Sequence, residues 1–103
     1  MTSEDKIKFY IEQANSIISD IDNSVDKDSI SIQYSELKNN IHKEIKSFNY
    51  ENATNYEKSI LFPALEEFFN LLKARRGSKN TKTIQTSLID GVDKLEWFKY
   101  QSK

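Results

Sequence analysis

Cysteine is absent from this chain. That excludes disulfides and thiolate metal sites, and it fits a reducing compartment. Only two glycines, Gly77 and Gly91, and one proline, Pro63, punctuate the 103 residues. Strands joined by tight turns need more of both, so the scarcity points to helices. A single histidine, His42, with no cysteine and no Glu-x-x-His spacing cannot build the usual zinc or catalytic constellations. No apolar run approaches the ~20 residues of a membrane span. Met1 is followed by Thr-Ser-Glu-Asp rather than a basic and then apolar leader, and a cytoplasmic protein is expected.

One-sided charge is also missing. The formal net charge of −1 argues against nucleic-acid binding by bulk electrostatics. The acids are nevertheless gathered at the start, where Glu4, Asp5, Glu12, Asp20, Asp22, Asp26 and Asp28 face only Lys6, Lys8 and Lys27. The length suits one helical domain, 1–103, with a single core.

What is present is helical periodicity. Residues 3–23 place Ile7, Tyr10, Ile11, Ala14, Ile17, Ile18 and Ile21 at three- and four-residue steps, behind Ser3 as N-cap with Glu4 and Asp5 in the first turn. A second helix, from Asp28 or Ser29 to about Phe48, carries Ile30, Tyr34, Leu37, Ile41, Ile45 and Phe48. Thr54-Asn-Tyr-Glu57 fits a capping box and opens a third. That third segment holds nine apolar residues between Ile60 and Leu72, covering roughly half the circumference at ~100° per residue. It is expected to be central, contacted from more than one side. Pro63 lacks the N–H that the Ser59 carbonyl would accept, which predicts a kink there or two shorter helices meeting near Leu61. Arg75 and Arg76 before Gly77 read as a helix end. A fourth helix, from Asn80 or Thr81 to about Tyr100, presents Ile84, Leu88, Val92, Leu95 and Phe98 inward, with Gly91 marking close approach of a neighbour. Four helices of ~20 residues on short links predict an all-α, up-down-up-down four-helix bundle.

Candidate sites are few. Asp20, Asp22, Ser24, Asp26 and Asp28 alternate as calcium-loop ligands do, but Val25 stands where the turn glycine belongs and Ser31 where the bidentate glutamate belongs. No metal or other cofactor is expected. Carboxylate pairs such as Glu66–Glu67 lack an apolar pocket to shift their pKa, and no nucleophile–base pair stands out, so no enzyme is expected. Lys73, Arg75, Arg76, Lys79 and Lys82 put five cations around the turn between the third and fourth helices, a grip for phosphate or nucleic acid.

The aromatics are the stronger signal. Trp97 projects roughly opposite the Leu88/Val92/Leu95 stripe with Tyr100 on the same flank, among Asp90, Asp93 and Glu96. Phe9 likewise points away from its stripe between Asp5 and Glu12. Aromatic anchors ringed by carboxylates have the composition of a surface that binds a basic protein. In an up-down bundle the first and last helices can be neighbours and the two groups can merge. The alternative is that Trp97 and Phe9 pack at a seam or between copies of the chain, in a structural homo-oligomer. In size and plan the chain is similar to some small bacterial immunity and antitoxin proteins. That resemblance implies a protein that binds a toxin and occludes its basic cleft.

Overall fold

The computed structural model describes residues 3–73 and 80–101. Within them, four α-helices, a 3-10 turn and a π turn follow one another: α1 (Ser3–Asp22), α2 (Lys27–Ser47), the 3-10 turn (Tyr50–Asn52), the π turn (Glu57–Leu61), α3 (Phe62–Lys73) and α4 (Thr81–Gln101). The side chains of Ser3 and Glu4, and the helix end expected at Arg75–Gly77, lie outside the described residues.

Local chemistry sets the boundaries. The backbone of α1 closes with Ser24 in the left-handed region at φ 60°. Val25 N–H donates to the Asp20 carbonyl at 3.0 Å and Ser24 N–H to that of Ile21 at 3.1 Å. This is a Schellman closure, with serine where glycine is usual. Two residues later the Asp26 carboxylate accepts the Ser29 N–H at 3.3 Å and starts α2 one or two residues earlier than the sequence indicates. The capping box forms as read: Glu57 N–H donates to Thr54 Oγ1 at 3.1 Å, and Thr54 N–H to Glu57 Oε1 at 3.0 Å.

The π turn is the structure's answer to Pro63. Phe62 N–H donates to the Glu57 carbonyl five residues back, and α3 begins directly afterwards. Pro63 therefore stands in the first turn of α3, where a missing N–H costs least. The two helical pieces meet between Leu61 and Phe62 without an intervening loop.

The inner faces close on one core. Ile7, Tyr10, Ile11, Ala14 and Ile17 of α1 and Ile30, Tyr34, Leu37 and Ile41 of α2 are buried. So are Leu61, Ala64, Leu65, Phe68 and Leu72 along the third segment and Ile84, Leu88, Val92, Leu95 and Phe98 of α4. α4 packs extensively on both α1 and α3, α2 packs on α1 and α3, and the π turn touches α1 and α4. The apolar width of α3 faces two helices, α2 and α4, while Ile60, Phe62, Phe69 and Leu71 lie only partly buried at its seams.

Gly91 is buried on the α3 side of α4. A Cβ built there would overlap the Phe68 ring at Cδ1 and Cε1, so glycine is what lets the two helices approach. Polar links tie the faces laterally. Lys6 Nζ reaches Glu44 Oε2 at 3.2 Å, and Tyr34 donates its buried hydroxyl to the Leu72 carbonyl at 2.6 Å. Gln33 donates to Asp20 at 3.1 Å and Gln85 to Asp22 at 2.7 Å.

Candidate protein-binding surface on α4

At ~100° per residue, Asp90, Asp93, Trp97 and Tyr100 fall within about 80° of arc on α4, facing away from the core stripe. All four are exposed. Trp97 keeps 54% of its surface open, and Tyr100 keeps 72%. The indole stands edge-on against Phe98, with ring centroids 4.8 Å apart and an interplanar angle of 89°. Phe98 itself is buried, so one edge of the exposed ring rests on a core side chain.

Beside Trp97 runs a groove of about 410 Å³ between α3 and α4, lined by Leu71, Asp90, Asp93, Lys94 and Trp97. Leu71 supplies an apolar wall and the two aspartates a negative rim. Lys94 reaches across to Glu67 Oε2 at 3.6 Å, so its charge is directed at α3. Glu96 is exposed on the same helix, and Ile89, also exposed, extends the apolar content of the surface towards the N-terminal half of α4.

Phe9 goes elsewhere. It meets Tyr10 edge-on at 5.4 Å and borders a groove with Asn40, Glu44 and Ser47 of α2. Asp5 and Glu12, one turn to either side of Phe9 on α1, are exposed. α1 and α4 are neighbours, as merging would require. Their aromatics diverge, however: Phe9 lies towards α2 and Trp97 towards α3. Asp5, Phe9 and Glu12 therefore do not join Asp90, Asp93, Trp97 and Tyr100 in one continuous surface. In the α1–α2 groove the Tyr10 hydroxyl is held neutral, its pKa pushed up to about 12 by burial and secondarily by the Glu44 charge.

The basic turn is seen only at its edges. Lys73 ends α3 and Lys82 lies in the first turn of α4, both exposed. Lys82 N–H donates to Asn80 Oδ1 at 2.9 Å. Arg75, Arg76 and Lys79 lie outside the described residues.

Among the described residues no three His, Cys, Asp or Glu side chains converge as metal ligands. The acids between α1 and α2 have other partners: Asp20 and Asp22 join α1 to α2 and α4, and Asp26 caps α2. No helix among the described residues is long and apolar enough to cross a membrane.

Sequence spacing groups Asp90, Asp93, Glu96, Trp97 and Tyr100, and all five are exposed. Sequence reasoning missed Leu71, Lys94 and Ile89. Leu71 was counted with the core, since sequence alone cannot tell a buried apolar residue from one at a seam. Ile89 had a usable signal, an aliphatic residue on the polar side of an amphipathic helix. No protein-family model, curated protein or solved structure matches the chain.

Proposed function

We propose that this chain is a small protein-binding module, not an enzyme, that docks on and occludes a partner presenting a basic surface. In plan it is of the type of toxin-neutralising immunity and antitoxin proteins. The observation that carries the reading is Trp97: a large aromatic, half open to solvent and resting by one edge on the core, beside a groove rimmed by Asp90 and Asp93. Rigid aromatic anchors contribute most of the energy of protein interfaces, while surrounding charges set approach and selectivity. The contact residues are Asp90, Asp93, Glu96, Trp97 and Tyr100, joined by Leu71 and Ile89. We further propose an up-down-up-down course, with the third helix central between its neighbours and bent where the π turn runs into Pro63. The cross-links Lys6–Glu44, Tyr34–Leu72 and Asp22–Gln85 support that course, since each joins the first half of one helix to the last part of another.

The test is affinity capture with the wild type, Trp97→Ala, Asp90→Asn/Asp93→Asn and Phe9→Ala, each checked for helicity by circular dichroism. The expected result is one stoichiometric partner, kept by Phe9→Ala and lost by Trp97→Ala. Binding by the aspartate variant should weaken most at low salt. A partner held equally by folded Trp97→Ala would overturn the assignment. Capture of nothing but the chain itself would replace it with a homo-oligomer.

A further inference from the structure

A second groove, on another face, has the opposite chemistry. It lies between α2 and α3, about 350 Å³ in volume, lined by Lys38, Asn39 and His42 from α2 and by Phe69 and Lys73 from α3. Among the described residues no carboxylate lines it. Four other grooves along the bundle each include at least one acid: Asp90 and Asp93, Glu36, Glu44 with Glu57, and Glu44 again.

Like most lysines among the described residues, the two here are in no carboxylate bridge. Among the described residues Lys6 is bridged to Glu44 and Lys94 to Glu67, whereas neither Lys38 nor Lys73 has a carboxylate within bridging distance. Two lysines brought to one groove repel each other, and a bound anion would remove that repulsion. The other lining groups suit the same ligand. The His42 ring is stacked on Phe69 at 5.0 Å, with planes 14° apart, which fixes the imidazole against an apolar wall. The Asn39 amide adds neutral donors.

The groove is also braced. Tyr34 lies one turn before Lys38 on α2, and the Leu72 carbonyl it bonds immediately precedes Lys73 on α3. That buried 2.6 Å bond fixes the separation of the two helices beside the lysines, and it satisfies a carbonyl at the negative end of α3 that an anion would otherwise meet.

We propose that the α2–α3 groove binds a small phosphate-bearing anion, with Lys38 and Lys73 as its charged clamps and His42 and Asn39 as further donors. Phosphate favours such a set because charge-assisted N–H···O bonds are roughly twice as strong as neutral ones. The site is independent of the α4 surface, so either can fail alone.

The experiment is an amide chemical-shift titration of the full chain with inorganic pyrophosphate and with adenosine monophosphate, in a non-coordinating buffer at fixed ionic strength. Saturable shifts are expected around residues 38–42 and 69–73, with adenosine alone giving none. Lys38→Gln and Lys73→Gln should each weaken binding about fivefold or more, consistent with loss of one charge-assisted contact. Lys43→Gln, an exposed lysine of α2 outside this groove, should leave it unchanged. Shifts spread over all lysine-bearing faces, or equal weakening by Lys43→Gln, would reduce the effect to counter-ion screening and overturn the proposal. So would the absence of saturation. Binding of oligothymidylate without any response to pyrophosphate or the mononucleotide would overturn it in favour of a nucleic-acid surface.

Discussion

Gly91→Ala sets two effects of known sign against each other. In the interior of a helix, glycine to alanine gains about 1 kcal/mol of propensity. At this position the new methyl would occupy space held by Cδ1 and Cε1 of Phe68, a ring with no measurable exposure. Such a ring cannot swing into solvent, so either its χ angles or the α3–α4 separation must change, and overpacking of this kind costs about 1–3 kcal/mol. The clash should match or outweigh the gain, leaving the variant less stable by up to about 2 kcal/mol, at about 4–8 °C of melting temperature per kcal/mol. Phe68→Leu supplies the control, because it removes Cε1, Cε2 and Cζ and leaves two Cδ methyls that can rotate away from position 91. In that background Gly91→Ala should turn stabilising, by up to about 1 kcal/mol, as propensity acts alone. The readout is a double-mutant cycle by urea denaturation followed by far-UV circular dichroism, with an expected coupling of about 1–3 kcal/mol. Gly91→Ala stabilising the wild-type background, or the two changes adding without coupling, would refute the close approach as the reason for glycine.

Three further outcomes follow from the fold. Ser24→Gly should raise stability in thermal denaturation by a few tenths to about 1 kcal/mol, because φ 60° is strained for serine but free for glycine, partly offset by unfolded-chain entropy; Ser24→Ala should give no gain. Ser87→Ala should stabilise by about 1 kcal/mol, since the buried Ser87 hydroxyl has no hydrogen-bond partner among the described residues; a loss on urea denaturation would mean that the hydroxyl is satisfied. Tyr10 should make the fold sensitive to alkali. Below pH 10 the phenol is neutral in both states and stability is unaffected; above it the unfolded chain ionises first, and stability falls by roughly 1.4 kcal/mol per pH unit until the folded pKa of about 12. Urea midpoints across that window should fall less steeply in Tyr10→Phe.

The inner faces were legible because helix periodicity is a short-range property. Ile84, Leu88, Val92, Leu95 and Phe98 recur at three- and four-residue steps, and burial follows. The Thr54–Glu57 capping box was equally local and forms as read. Other features depended on what the backbone does when a rule is broken. Serine at a Schellman position gives no sequence signal, and Asp26 looked like one more acid in a polar run. Proline announced a disturbance in the third helix but not its form, since a kink, a break and a π turn all answer a missing N–H. At the candidate site, spacing along α4 was enough to align Asp90, Asp93, Trp97 and Tyr100. The divergence of Phe9 depends on which flank of α1 meets which neighbour, a tertiary fact. The α2–α3 groove was invisible for the same reason, because Lys38 and Lys73 stand far apart in the chain and meet only across a helix seam.

The π turn also works as a phase shifter. It takes up one more residue than an α turn, so the helix entering at Tyr56 and the helix leaving at Leu61 are offset by about 100° from an uninterrupted α-helix. Tyr56 and Leu61, five residues apart, therefore lie against the same core. Wound as an uninterrupted α-helix, the same five-residue step would set Tyr56 and Leu61 about 140° apart and carry Tyr56 round towards solvent, while leaving the downstream stripe of Ala64, Leu65, Phe68 and Leu72 where it is. Residues 57–61 are thus the place where this chain can lose a residue with least damage, because the π turn would become an α turn and Tyr56 would still meet the core above the α3 stripe.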